Sequence, residues 1–272
     1  MLRDITIGQY YPVDSPLHRL DPRIKLILTI AYIVALFLPK TWVGLGVAVA
    51  LLAAAVALGH IPVRMLWRSV KPILFLVALT AILNLFYTTG GTTLVDWWIF
   101  TITTRGIASS IFVAVRIVCL IIGSSLLTYT TSPTALTDAL ERLLSPLAVL
   151  HLHVHELAMM MTIALRFIPT LIEETDKIMS AQKARGADLE SGGLLRRVRA
   201  LAPVLIPLFV SSFSRAYELA MAMECRCYHG GEGRTRMKQL RLRAADFAAL
   251  AVMAAVIAGV AVLNRFLPAA LG

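Results

Sequence analysis

Two short stretches have the make-up of recognition sites rather than of packing. Ala184-Arg185-Gly186 and Cys225-Arg226-Cys227 each set one arginine between small residues at the end of a long helical pattern. A guanidinium is planar, permanently charged and carries its donors in a fixed fork, so it suits insertion into an acidic or carbonyl-lined groove. Arginine also favours helix C-termini through the macrodipole, for about 0.3–1 kcal/mol. For either site alone that ordinary account suffices. The repetition favours a functional reading, a paired surface offered to two similar partners.

Other residues invite chemistry and lose on inspection. His151-Leu152-His153-Val154-His155 has the look of a metal cluster, but no cysteine and no paired carboxylates beyond Glu156 accompany it. It reads better as a loop and helix start, and no metal site is assigned. Gly230-Gly231-Glu232-Gly233-Arg234 lacks the Lys-Ser/Thr of a phosphate-binding loop and follows no strand, and no complete loop of that kind occurs in the chain. The chain itself should bind neither ATP nor Mg, and no cofactor is expected. Cys225 and Cys227 stand two apart and point to different helix faces, so they should not pair. Arg116 falls about ten residues into an apolar segment, where a charge is costly and often functional. A functional site and a structural role, snorkelling or pairing with a backbone carbonyl between helices, are equally open.

The elements around these residues follow from composition. Of 272 residues, 58% are hydrophobic and 15% charged, against roughly 25% charged in a soluble domain. Disorder, a disulfide scaffold and an ordinary cytosolic enzyme are excluded. Apolar runs fall at about 24–38, 42–59, 70–88, 106–130 and 245–267. A span needs about 20 residues to cross roughly 30 Å of hydrocarbon. The first run is short, and Pro39-Lys40-Thr41 turns it into the second. The chain therefore reads as an all-α polytopic membrane protein with about five transmembrane helices. In a soluble protein a net charge of +10 would suggest nucleic acid; here 22 of the 26 basic residues fall on one side of those spans. The positive-inside bias makes that side cytoplasmic and leaves Gly272 external. Arg234, Arg236, Lys238, Arg241 and Arg243 precede the last span and suit anionic lipid headgroups, not nucleic acid.

Residues 131–243 resist a simple membrane reading. Leu157, Met161, Ala164, Ile168, Leu171, Thr175, Ile178 and Gln182 recur at three- and four-residue steps, a mostly apolar stripe on a helix from Val154 to Arg185, about 48 Å long. Pro169 should bend it and Gly186 should end it. A second long helix starts near Leu194, carries Pro203 and Pro207, and runs to Arg226, with a stop at Tyr228-His229-Gly230-Gly231. A shorter helix, about Pro133–Leu150, precedes both. The layout is 1–130, a cytoplasmic arm and four spans; 131–243, a cytoplasmic domain of long bent helices (about 154–186 and 194–228); and 244–272, the last span.

Ala181-Gln182-Lys183-Ala184-Arg185-Gly186 resembles the first coupling motif of the transmembrane T component of energy-coupling-factor (ECF) vitamin transporters, and Ala222-Met223-Glu224-Cys225-Arg226 with Tyr228 resembles the second. Ser15-Pro16-Leu17-His18-Arg19-Leu20-Asp21-Pro22-Arg23, Thr131-Ser132-Pro133-Thr134 and Ala164-Leu165-Arg166-Phe167-Ile168-Pro169 are also similar to that family. The resemblance implies a non-catalytic subunit. Two cytoplasmic ABC-type ATPases, which bind ATP and Mg, would take one arginine motif each, and their motion would pass to a small membrane-embedded substrate-binding S component. A dedicated T component of a cobalt, nickel or biotin system is the alternative. An intramembrane enzyme is disfavoured, since no His, Asp or Glu lies within the span interiors. Cys225 and Cys227 stand where the family has Ala and Gly. Cysteine tolerates positive φ poorly, so the turn after Arg226 should move toward Gly230-Gly231.

Overall fold

A computed structural model describes residues 10–88, 93–97, 100–146, 153–187, 193–230 and 240–266. His151, Leu152, Gly231, Glu232, Gly233, Arg234, Arg236, Lys238 and Gly272, singled out above, lie outside the described residues. The described chain is helical apart from one hairpin, in keeping with an all-α polytopic membrane protein. By backbone contact it forms two units, one of residues 10–139 with 240–266 and one of residues 140–230.

The first unit holds α1 (Pro22–Phe37), α2 (Trp42–Gly59), α3 (Val63–Val70), α4 (Leu74–Tyr87), α5 (Thr104–Thr130) and α9 (Ala244–Phe266). Each start has a local cause. Asp21 accepts the Arg23 N–H ahead of Pro22, and Thr41 and Thr103 cap α2 and α5 through the N–H of Gly44 and of Gly106. Tyr32, Leu36, Leu45, Leu52, Phe112 and Met253 form a core contributed by α1, α2, α5 and α9. The N-terminal arm is tied down before α1. The His18 imidazole bridges the Ser15 hydroxyl (2.7 Å) and the Tyr11 carbonyl (2.9 Å). Burial lowers its pKa from the ordinary histidine value, against the opposing pull of that carbonyl.

Two features differ from the sequence expectation. The segment expected as a basic loop between spans is the helix α3, which buries Leu66 and Val70 and exposes Arg64 and Arg68. It is continued through a 3-10 turn at Pro72 into α4. Second, β1 (Thr93–Trp97) and β2 (Phe100–Thr103) pair antiparallel between α4 and α5. Their β-branched and aromatic residues carry the signal for a hairpin.

The second unit holds α7 (Val154–Ala184) and α8 (Leu194–Glu224), together with the end of α6 (Pro133–Leu144) from Leu140 on. Among the described residues, six segments are long and apolar enough to cross a membrane: α2, α3–α4, α5, α7, α8 from Leu201, and α9. The set is not the expected one. At 16 residues, α1 falls short, while α7 and α8 qualify at mean hydropathies of 1.3 and 1.2 against 2.0–2.3 for the rest. The cause is their charge pattern: Glu173, Glu174, Asp176 and Lys177 gather in the C-terminal half of α7 and leave its first half apolar.

Candidate functional site: two arginine-ended helices

The second unit is built on the packing of α7 against α8. Both are 31 residues long, and proline interrupts each, at Pro169 in α7 and at Pro203 and Pro207 in α8. Every such proline removes one intrahelical donor and bends the axis. Glu174 clamps the pair, accepting hydrogen bonds from the Ser211 hydroxyl and, at 2.6 Å, from the Arg215 guanidinium. The ion pair is partly exposed, its side chains 20% and 37% accessible, so it contributes geometry more than energy.

The two helix ends are built alike, bond for bond. At the end of α7 the Gly186 N–H donates to Lys183 O (3.0 Å) and the Ala187 N–H reaches back to Gln182 O (3.0 Å). At the end of α8 the Cys227 N–H donates to Glu224 O (2.9 Å) and the Tyr228 N–H to Met223 O (3.0 Å). Both pairs are the 5→2 and 6→1 bonds of a Schellman cap, which needs a left-handed residue at the turn. Gly186 supplies it with φ 85° and Cys227 with φ 55°. The turn therefore falls at Cys227 itself, not displaced to the glycines; Gly230, at φ 100°, turns the chain once more. The physical reason is that leaving the cap unmade would orphan the last carbonyls of α8.

Each cap fixes its arginine in the same place, one residue before the left-handed position. Arg185 and Arg226 are both exposed, and neither has a side-chain partner among the described residues. Ala184, Gly186, Cys225 and Cys227 beside them are exposed as well. The guanidinium groups thus stand clear of their own fold. Each end is also tied to the other helix: the Gln182 amide donates to Pro203 O (3.4 Å), and the Tyr228 hydroxyl donates to Met159 Sδ (3.0 Å), holding the end of α8 to the start of α7.

Arg116 belongs to the other unit. It donates to the Pro39 carbonyl (2.9 Å) in the turn between α1 and α2, with its guanidinium 4.8 Å from the Phe112 ring centre and 5.7 Å from that of Phe37. Asn264 of α9 grips the same turn, accepting from the Lys40 N–H (3.0 Å) and donating to Leu38 O (2.7 Å). Sequence reasoning missed Asn264, having searched the spans for a carboxylate. In the second unit it also missed the Glu174 clamp, whose signal was a carboxylate and a cation on facing helices. His155 pairs with Glu141 at 2.9 Å, and no group of three or more metal-ligating side chains occurs among the described residues.

The family described as cobalt transport protein, CbiQ, matches residues 14–237. The chain is 51% identical over 266 residues to the energy-coupling factor transporter transmembrane protein EcfT of Clostridium kluyveri, covering 97% of this chain and 98% of that protein. It is 54% identical over 246 residues to the protein of the same name from Ruminiclostridium cellulolyticum, covering 90% and 92% of the two chains. Against that of Acidaminococcus fermentans it is 48% identical over 269 residues, covering 99% and 100%.

Proposed function

From the premise that this chain belongs to the CbiQ family, we propose that it is the membrane-embedded coupling subunit of an ATP-driven ECF micronutrient transporter. It catalyses nothing itself. Two ABC-type ATPase subunits bind ATP and Mg, and each receives one arginine-ended helix, Arg185 in one and Arg226 in the other. Residues 131–243 work at the cytoplasmic face and Gly272 lies outside. The observation that carries the reading is the matched pair of Schellman caps, each presenting one unpartnered guanidinium from the same position. Two equal docking points suit two similar partners, which is what an ATPase dimer offers.

Motion at these ends would travel along α7 and α8, which Glu174 holds together, to a substrate-binding S component in the membrane. Ile206, Phe209, Val210, Phe213 and Tyr217 support this, forming an outward stripe on α8 that is 65–69% exposed. Such a face requires lipid or an apolar partner. In the other unit, Arg116 and Asn264 lock the α1–α2 turn against α5 and α9, which makes that unit a rigid frame. Anionic headgroups are the partners of the basic segment ahead of α9.

Arg185→Ala or Arg226→Ala should each weaken ATPase association. Hydrogen bonds to charged groups contribute roughly 1.5–3 kcal/mol, or about ten- to hundredfold in affinity. The double variant should lose the complex and uptake while keeping its thermal melting profile. Normal recovery of both ATPases by the double variant in a pull-down would refute the assignment. The orientation is open to thiol labelling from outside the cell. A reagent that cannot cross the membrane should reach Leu271→Cys and leave Gly192→Cys unmodified, and the opposite pattern would sink the topology.

The family's description favours a second reading, a T component dedicated to a cobalt or nickel system, with biotin systems organised alike. Copurification of the chain with its S components and their identification by mass spectrometry separates the two. A single S component means a dedicated subunit, and several mean a shared one.

A further inference from the structure

The first unit contains a cleft of two adjoining recesses that the coupling role does not use. Its larger part, about 410 Å³, lies among α1, α2, α5 and α9 and is walled by residues such as Leu28, Tyr32, Ala55, Leu58, Leu127 and Ala249. That volume is in the range of small-molecule sites, roughly 300–1,000 Å³. Small residues shape part of its wall. Gly123 lets α5 come so close to α1 that a Cβ there would stand 2.6 Å from the Tyr32 ring. Ala54 and Ala55 on α2 and Ala248 and Ala249 on α9 leave the rest of the groove open.

The polar end of this cleft is cationic. Lys25 lines it, and its ammonium group donates only to two neutral carbonyls, His18 O (3.0 Å) and Thr130 O (2.8 Å). Among the described residues no carboxylate is within hydrogen-bond reach of it, although those of Asp246 and Asp21 lie near enough to act on its charge. A second recess of about 370 Å³ adjoins at Pro16 and Ala245, which line both, and it is bordered by Arg19 and Arg243. The carboxylates in that recess are engaged by the protein itself. Asp246 accepts from the Asp21 N–H (2.8 Å) and the Arg243 N–H (2.7 Å), and Asp14 holds Arg19. The Arg243 side chain is exposed and has no partner among the described residues. The site thus has an apolar slot within the spans, a buried ammonium at its neck and a free guanidinium at its mouth.

We infer that this cleft holds one anionic phospholipid of the adjoining leaflet, with an acyl chain in the slot and the phosphate between Lys25 and Arg243. A phospholipid supplies chain and anion in one molecule, matching an apolar slot that ends at basic residues. The basic residue at the mouth gives preference over a zwitterionic lipid, and the slot gives retention. The site deepens the lipid part of the proposed function and is independent of the coupling part, since neither Arg185 nor Arg226 contributes to it.

The test is native mass spectrometry of the full chain, purified in mild detergent with equal dioleoyl phosphatidylglycerol and dioleoyl phosphatidylcholine. The wild type should retain one phosphatidylglycerol, in preference to phosphatidylcholine by about fivefold, the worth of one basic residue at the membrane surface. Arg243→Gln, an exposed change, should abolish the preference and leave the melting profile unaltered. Ala249→Trp and Ala55→Trp fill the slot from α9 and from α2, and each should lower retention of both lipids by about tenfold or more. Should one of them fail to fold, the other decides. Equal retention of the two lipids by the wild type, or undiminished retention in a folded tryptophan variant, would overturn the assignment. ATPase recovery in the pull-down should be unchanged by Arg243→Gln, so failure here leaves the coupling proposal intact.

Discussion

The ends of α7 and α8 make the same hydrogen bonds from different residues. Gly186 takes the left-handed turn at φ 85° with no side chain to strain, and Cys227 takes it at φ 55° with one. A non-glycine residue in that region costs roughly 1–2 kcal/mol. The α8 end is held to α7 by the Tyr228 hydroxyl on Met159 Sδ (3.0 Å), a shorter contact than the 3.4 Å bond from the Gln182 amide to Pro203 O at the α7 end. The geometry that presents the arginine is therefore maintained twice by different means. At α7 the backbone turns freely; at α8 a strained turn is held by a neighbour.

The hardest way to break this comparison is at the α7 end. Gly186→Pro removes the N–H that donates to Lys183 O and forces φ to about −65°, where the turn needs a positive value. Cap and direction are lost together, at a cost of about 3 kcal/mol or more. The last turn of α7 should fray, and Arg185 should no longer be presented. Pull-down should show loss of one ATPase contact at least as severe as in Arg185→Ala, although the arginine itself is unaltered. Full ATPase recovery by Gly186→Pro would show that the position of Arg185 does not depend on the cap.

This contrast also marks how far the sequence could be read. The extents of α7 and α8 were legible because a long apolar stripe interrupted by proline has few other interpretations. The turn at Gly186 was legible for the same kind of reason, since glycine at a helix end is the usual left-handed residue. Cys227 was not, because its propensity points away from positive φ and only the sum of two backbone bonds and the Tyr228 contact overrides it. Arg116 could be found by its charge, but its partner is a backbone carbonyl, which sequence does not distinguish. The β1–β2 hairpin leaves a weak signal beside the long apolar runs, since its strands have only five and four residues. Membrane crossing by α7 and α8 could not be judged from hydropathy alone, since their values are close to those of shallow spans.

The gentlest way to sharpen the comparison is to make the two turns the same. Cys227→Gly removes the left-handed penalty of roughly 1–2 kcal/mol but adds freedom to the unfolded chain, which costs about 0.5–1 kcal/mol. The net gain should be about 0.5–1 kcal/mol, read as a small rise in the melting temperature of the purified chain. Gly186→Ala runs the other way and should lose a similar amount. Cys225→Ala changes neither φ nor a cap bond and should leave stability and uptake as they are. Because both cysteines are exposed and two apart on a helix end, they should form no disulfide with each other. Vitamin uptake by reconstituted complexes carrying Cys225→Ala with Cys227→Gly should therefore match or exceed the starting level, with or without a thiol-alkylating reagent. A severe loss of uptake in the untreated double variant would mean that the thiols themselves contact the ATPase, and the two ends would then differ in chemistry as well as in backbone strain.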